Sequence, residues 1–180
     1  MKKLISVFLL GGLLATTGWV EGTVTSLSAP TQVEGSLAHG QKIPLEWAES
    51  SAVACFPATR FEQFDGHHVF YRVAMPAASK MQITLTPKAG AKINLYALRQ
   101  PAAGQQPVPP NVSSAISAEA SYPMYARAAG GKIVKNADDG VRKVEFISID
   151  QPYSILVGVA GAQGLSQGDF TLSVSLQARH

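Results

Sequence analysis

The sequence predicts an all-β protein: an antiparallel β-sandwich of jelly-roll-like form, with roughly eight or nine strands after an N-terminal signal peptide. Three observations carry this expectation. Short apolar runs alternate with polar residues at period 2, most cleanly in Met81, Ile83 and Leu85 against Gln82, Thr84 and Thr86. Gly and Pro, 16 and 11 residues, are spread along the chain and punctuate these runs with turns. No segment sustains a 3.6-residue apolar period, so little helix is expected and no crossover helices separate the strands.

The leader comes first. Lys2 and Lys3 precede an apolar run over 4–14, the basic and hydrophobic regions of a secretory signal. Small residues follow, and cleavage after Thr17, Gly18 or Gly22 is compatible with them. The alternative is an uncleaved anchor, with membrane contact only through that leader. No cysteine follows the apolar run closely enough for lipid attachment, and the lone Cys55 cannot close an intramolecular disulfide. Its neighbours Val53, Ala54 and Phe56 predict a buried, inert thiol. The expected organisation is a signal at 1–22, a flexible lead-in at 23–31, and one β-sandwich domain over 32–178.

Within that domain the first strand is predicted at 31–37, with Val33, Gly35 and Leu37 on one side. A short apolar run at 51–56 stops at Pro57, and Phe61 and Phe64 suit one helical turn capping the sandwich. Three strands follow at His67–Met75, 80–86 and 91–98, separated by Pro-Ala-Ala-Ser and Pro-Lys-Ala-Gly. In the third, Ile93, Leu95 and Ala97 share one face, while Asn94 and Tyr96 are expected on the other. Residues 99–112 hold Pro101, Pro107, Pro109 and Pro110 and read as an extended loop. Segment 113–122 is read as a strand or loop, and 132–134 as an edge strand before the turn Asn136–Gly140. Strands at 141–149, 153–160 and 169–176 complete the set, the last alternating Phe170, Leu172, Val174 and Leu176 with Thr171, Ser173 and Ser175.

Those residues resemble a known family. FYRVAMPAAS, MQITLTP, AKINLYAL and the final YSILVGVAG…QGDFTL are similar to the strand patterns of the bacterial pre-peptidase C-terminal domain. In that family a YRF-x-V-P-A-G strand, a second apolar strand, an aDLDLYLY strand and a closing gGdYtLtvs pattern recur. The resemblance spans residues 33 to 176, with an insertion between 98 and 141. It implies a secreted jelly-roll-like sandwich that assists a partner or binds polymer without catalysis of its own. Ala91, Lys92 and Asn94 stand where the family tends to carry acidic residues, which counts against a cation site there.

Charge narrows the partners. The formal net charge of +3 includes the leader. Cleavage after Gly22 removes Lys2, Lys3 and Glu21 and leaves 13 basic against 11 acidic residues. A near-neutral surface with no Lys/Arg block excludes nucleic acid and a polybasic membrane patch.

Candidate chemistry is sparse. Gly164-Leu165-Ser166-Gln167-Gly168 matches G-x-S-x-G, but a nucleophile elbow needs a helix after it and a strand follows here, so a hairpin turn is expected. His67 and His68 are adjacent on a strand and point to opposite faces, so they read as surface or strand-end histidines rather than as two ligands of one ion. Asn136, Asp138 and Asp139 before Gly140 offer oxygens of the kind Ca²⁺ takes; they equally make turns, and no other cofactor is implied. Asn111-Val112-Ser113 fits a glycosylation sequon. Trp47, Tyr96, Tyr122 and Tyr125 are the candidates for an exposed aromatic platform taking sugar rings or peptide. The functional expectation is an exported, non-catalytic binding or accessory module for an extracellular or periplasmic protein or polysaccharide. Its contact surface is expected on the 99–125 insertion and the outward face of strand 91–98. Two alternatives remain: an envelope-associated structural protein assembling through edge strands, and a small hydrolase using Ser166 or the His67/His68 pair.

Overall fold

The structure, a computed structural model, describes residues 23–51, 60–123 and 138–179. The expectations for the leader, Cys55, the 132–134 strand, Tyr125 and Asn136 lie outside these residues. Ten strands among the described residues form two stacked sheets, an all-β sandwich. They are β1 Val24–Leu27, β2 Thr31–Ser36, β3 Gln41–Lys42, β4 His67–Met75 and β5 Ser79–Pro87, then β6 Ile93–Pro101, β7 Ser117–Ser121, β8 Arg142–Ser148, β9 Tyr153–Gly161 and β10 Asp169–Ala178. The first sheet runs β1-β4-β9-β6-β7, with β3 also on β4; the second runs β2-β10-β5-β8.

Every pairing is antiparallel except one. β1 lies parallel to β4, Val24 opposite Phe70 and Leu27 opposite Val73. Residues 24–27 therefore correct the flexible lead-in expected there. Their signal is short, but Val24 and Leu27 each find an apolar layer to enter, one on either side of the first sheet. Among the described residues the helical elements are a four-residue helix, Glu46–Glu49, and two 3-10 turns, Leu37–His39 and Phe61–Gln63. The last is the turn expected at Phe61 and Phe64, although Phe61 itself remains half exposed.

Period-2 alternation builds the main core. Met81, Ile83 and Leu85 of β5, Val144 and Phe146 of β8, and Phe170, Leu172 and Val174 of β10 face Tyr71, Val73, Leu95 and Val157 across the sandwich. On the second sheet the alternate residues are wet: Thr84, Thr171, Ser173 and Glu145 stand outward. Burial of these apolar faces supplies most of the driving force, at about 25 cal/mol per Å².

The first sheet differs, because both of its faces are covered. On its outer face Phe70, Tyr96, Leu98, Leu156 and Ala160 form a second core under a roof. Ile43, Leu45 and Trp47 make one part of that roof, Phe64 another, and Val108 and Val112 a third. Strands covered on both sides read as near-continuous apolar runs, which is the pattern of Ile155–Ala160 in β9. Tyr96 lies flat across Gly158, its partner in register, and a Cβ on that glycine would fall 2.2 Å from Cζ of the ring. Only glycine leaves the tyrosine that space.

One side of the sandwich is bridged by side chains. β7 pairs with β6 in the first sheet, and Ser121 Oγ accepts a hydrogen bond from the Lys143 amide of β8 in the second, 3.0 Å. The opposite side ends in β1 and β2 among the described residues.

Candidate functional site

The roof stops short of one corner of the first sheet. A cleft of about 390 Å³ opens there. Ser26 and Leu27 of β1 form one wall, and Ala102 and Gln106, from the loop after β6, form the other. Its floor comes from Arg72 and Ala74 of β4 and Ser154 of β9, and it closes against Met75, Pro76, Pro152 and Tyr153. Strand geometry explains the floor. Arg72 shares its face with Phe70, and Ala74 faces Ser154 in register, so these side chains project outward where no apolar roof lies over them.

Arg72 organises the site. Its Nη1 donates to Gln100 Oε1 at 2.8 Å and to Gln106 Oε1 and Ser154 Oγ at 3.0 Å, while Nη2 donates to the Gln106 carbonyl at 2.8 Å. Gln106 in turn donates to the Pro101 and Ala102 carbonyls, both 3.0 Å, and Gln100 donates to the Pro107 carbonyl, 2.8 Å. The proline-rich loop thus has a defined shape: prolines remove its own donors, and the side chains of Arg72 on β4 and Gln100 on β6, with the loop's own Gln106, supply them. Val108 and Pro109, just beyond, are buried.

Of the four aromatic candidates, the three among the described residues pack against other rings. Tyr96 is 0% exposed and Trp47 7% exposed, and their ring centroids lie 6.2 Å apart inside the second core. Tyr122 packs edge-on against Phe64 at 5.5 Å. The outward face of the strand at Asn94, Tyr96 and Leu98 is therefore interior, because Ile43, Leu45, Trp47, Phe64, Val108 and Val112 pack over it and exclude water from the rings that the alternation left outside.

His68 corrects the surface reading of the histidine pair. It is 2% exposed, with Nε2 2.7 Å from the Phe64 carbonyl and Nδ1 3.0 Å from the Tyr96 hydroxyl. A carbonyl only accepts, so Nε2 carries the proton and bare Nδ1 accepts from Tyr96. Burial chiefly, against the Phe64 hydrogen bond, holds the His68 pKa down to about 4, and burial raises the Tyr96 phenol well above its ordinary value. His67 points the other way, 3.3 Å from the Leu37 carbonyl.

The acidic turn is likewise occupied. Asp138 makes a bidentate ion pair with Arg142, at 2.9 and 3.2 Å, which lowers its pKa. Arg142 Nε donates to Asn94, which donates to Gln63. Asp139 accepts from the Val141 amide, an Asx turn. No group of three His, Cys, Asp or Glu among the described residues is arranged to hold a metal ion. Ser166 is exposed in the connection from β9 to β10, and an extended strand follows it. Asn111 is exposed in its turn.

Arg72, Gln106 and Ser154 were not among the candidates read from the sequence, yet they line the cleft. The signal was the isolated cation in His67–Met75, the one charged side chain central to an otherwise apolar strand.

No protein-family model and no curated protein matches the chain. Among solved structures, it is similar to the pre-peptidase C-terminal domain of a collagenase from Bacillus anthracis. Identity there is 15% and the TM-score 0.38, over 85% of this chain and 95% of that one. PliG of Aeromonas hydrophila, a periplasmic inhibitor of g-type lysozyme, has 14% identity and a TM-score of 0.40, over 86% and 97%. CorA of Methylomicrobium album BG8, a surface-associated copper-binding protein, has 11% identity and a TM-score of 0.46, over 86% and 98%. The family that the sequence resembles is thus among these structures.

Proposed function

We propose that this chain is an exported, non-catalytic binding or accessory module, and that it contacts its extracellular or periplasmic partner at the Arg72 cleft. One observation carries the reading: the roof that covers the rest of the first sheet leaves a concave, shaped corner with a guanidinium on its floor. Concave sites with a few fixed polar groups among apolar walls are the usual form of ligand sites. The placement of the reactive groups supports a non-catalytic role. His68 is enclosed and held neutral, Asp138 is tied to Arg142, and Ser166 sits in a turn leading into a strand. Export follows from the leader in the sequence, and no helix among the described residues is long and apolar enough to cross a membrane.

The test uses the purified chain on an array of synthetic peptides and oligosaccharides. Wild type is expected to retain a subset of them, and Ala74→Trp, which fills the cleft from an exposed position, is expected to lose that subset. Unchanged retention by Ala74→Trp contradicts the site. Release of a cleaved product from any spot contradicts the non-catalytic role.

A further inference from the structure

We infer that the chain forms a two-fold dimer by antiparallel pairing of β2 with β2 of a second copy, the two strands crossing the axis at Val33. This interface lies apart from the cleft and does not rest on it.

The ladder of β2 shows which of its backbone groups are free. Leu37 N donates to the Gly168 carbonyl at 2.9 Å, which continues the register of β2 with β10 by one residue. The bonded pairs therefore fall at Thr31, Val33 and Gly35, and the amides and carbonyls of Gln32 and Glu34 point away from β10. No described residue pairs with them. On β8, by contrast, Ser121 Oγ takes the Lys143 amide and Arg99 Nη1 bonds the Ile147 carbonyl. β1 and β3 have only four and two residues. β2 has six, with neither the lysine nor the proline that commonly guards an edge, and its Glu34 is neutralised by Lys88.

A two-fold axis normal to the sheet makes the new pairing antiparallel and keeps both inner faces on the same side. The residues of β2 select the register. Centred on Glu34, the two carboxylates would stand directly opposite each other. Centred on Gln32, Glu34 would face Pro30, which has no N–H to give. Centred on Val33, Gln32 faces Glu34 of the second copy, and each such pair exchanges both main-chain hydrogen bonds. Gln32 Oε1 already accepts from Ser173 Oγ at 3.1 Å, so its Nε2 is left to donate to that Glu34 carboxylate. On the inner face the half-buried Val33 meets its own counterpart.

Tyr71 is an independent pointer to the same register. It is 6% exposed, and its hydroxyl has no hydrogen-bond partner among the described residues. A Cβ on Gly35 would fall 2.5 Å from that oxygen, so the hydroxyl stands against the inner face of β2. In the Val33-centred register Thr31 of the second copy lies directly opposite Gly35, in the kind of pair whose side chains approach most closely. Its hydroxyl gives Tyr71 the partner that one copy alone does not.

The test is sedimentation velocity of the purified chain over a concentration series, with amide exchange followed by NMR at the same concentrations. Wild type is expected to pass from monomer to dimer, and exchange at Gln32 and Glu34 to slow in step. Gln32→Pro removes an outward N–H that the monomer does not use, and is expected to abolish the dimer while keeping the circular-dichroism spectrum. Gln32→Glu sets carboxylates opposite each other and is expected to weaken dimerisation at least about tenfold, whereas Gln32→Lys, facing Glu34, is expected to strengthen it. A chain that stays monomeric throughout overturns the proposal, as does a folded Gln32→Pro that dimerises like wild type. Should Gln32→Pro perturb folding, the two exposed polar exchanges decide, and equal dimerisation by Gln32→Glu and Gln32→Lys overturns it. Protection of Gln32 and Glu34 that appears only when an unrelated extended peptide is added also overturns it and gives the edge to a foreign strand.

Discussion

His68 shows how one side chain couples packing to pH. Enclosed between Phe64 and Tyr96, it titrates near 4 when folded and near its ordinary 6.5 when the chain is unfolded. Burial is the main cause, His67 adds repulsion, and Asp65 and the Phe64 carbonyl oppose the shift. Between these values the unfolded chain binds the extra proton, so the stabilisation is present above pH 6.5 and is lost as pH falls toward 4. The difference corresponds to about 3 kcal/mol. Urea midpoints measured from pH 7 to pH 4 are expected to fall in wild type and to fall much less in His68→Gln, whatever the variant's stability at pH 7. Parallel slopes in the two proteins would place the acid sensitivity elsewhere. The sequence showed His67 and His68 on opposite faces of a strand, which is correct. It did not show that one of those faces is roofed, because the covering residues Ile43, Leu45 and Val112 are remote from His68 along the chain.

At the scale of elements, the proline-rich loop is a structural part of the second core as well as a wall of the cleft. Val108 and Val112 sit in that core, and Arg72 and Gln100 hold the segment before them. Excising 102–110 would remove the buried Val108 and the two acceptors that Gln106 offers the Arg72 guanidinium. A loss of about 2–5 kcal/mol is expected, read as a lower urea midpoint with unchanged m-value. A deletion variant as stable as the parent would show that the loop only rests on the sheet. The strands were legible because alternation and turn residues are local signals: His67–Met75 is found at its expected bounds, and 80–86, 141–149, 153–160 and 169–176 are each recovered within two residues. β1 and β3 were not legible, since strands of four and two residues owe their form to the edge of β4 rather than to their own pattern. Tyr96 is interior for the same reason as His68: period 2 says which face a residue takes, not what lies above that face.

At the scale of the whole molecule the two sheets are unequal. The second sheet has one wet face with paired charges, Lys80–Glu145 at 3.0 Å and Lys88–Glu34, while the first lies between two apolar layers and opens at the cleft. β9 is at the centre of the covered sheet, between β4 and β6, whereas β10 is covered on one side only. Native-state amide hydrogen exchange separates these cases, because protected amides report the free energy of the opening that exposes them. Residues 155–159 of β9 are expected to exchange only through global unfolding and more slowly than residues 171–175 of β10, with Thr25 and Ser26 of β1 faster than both. Exchange in β9 as fast as in β10 or faster would contradict a second core, and with it the roofed sheet from which the cleft derives its shape.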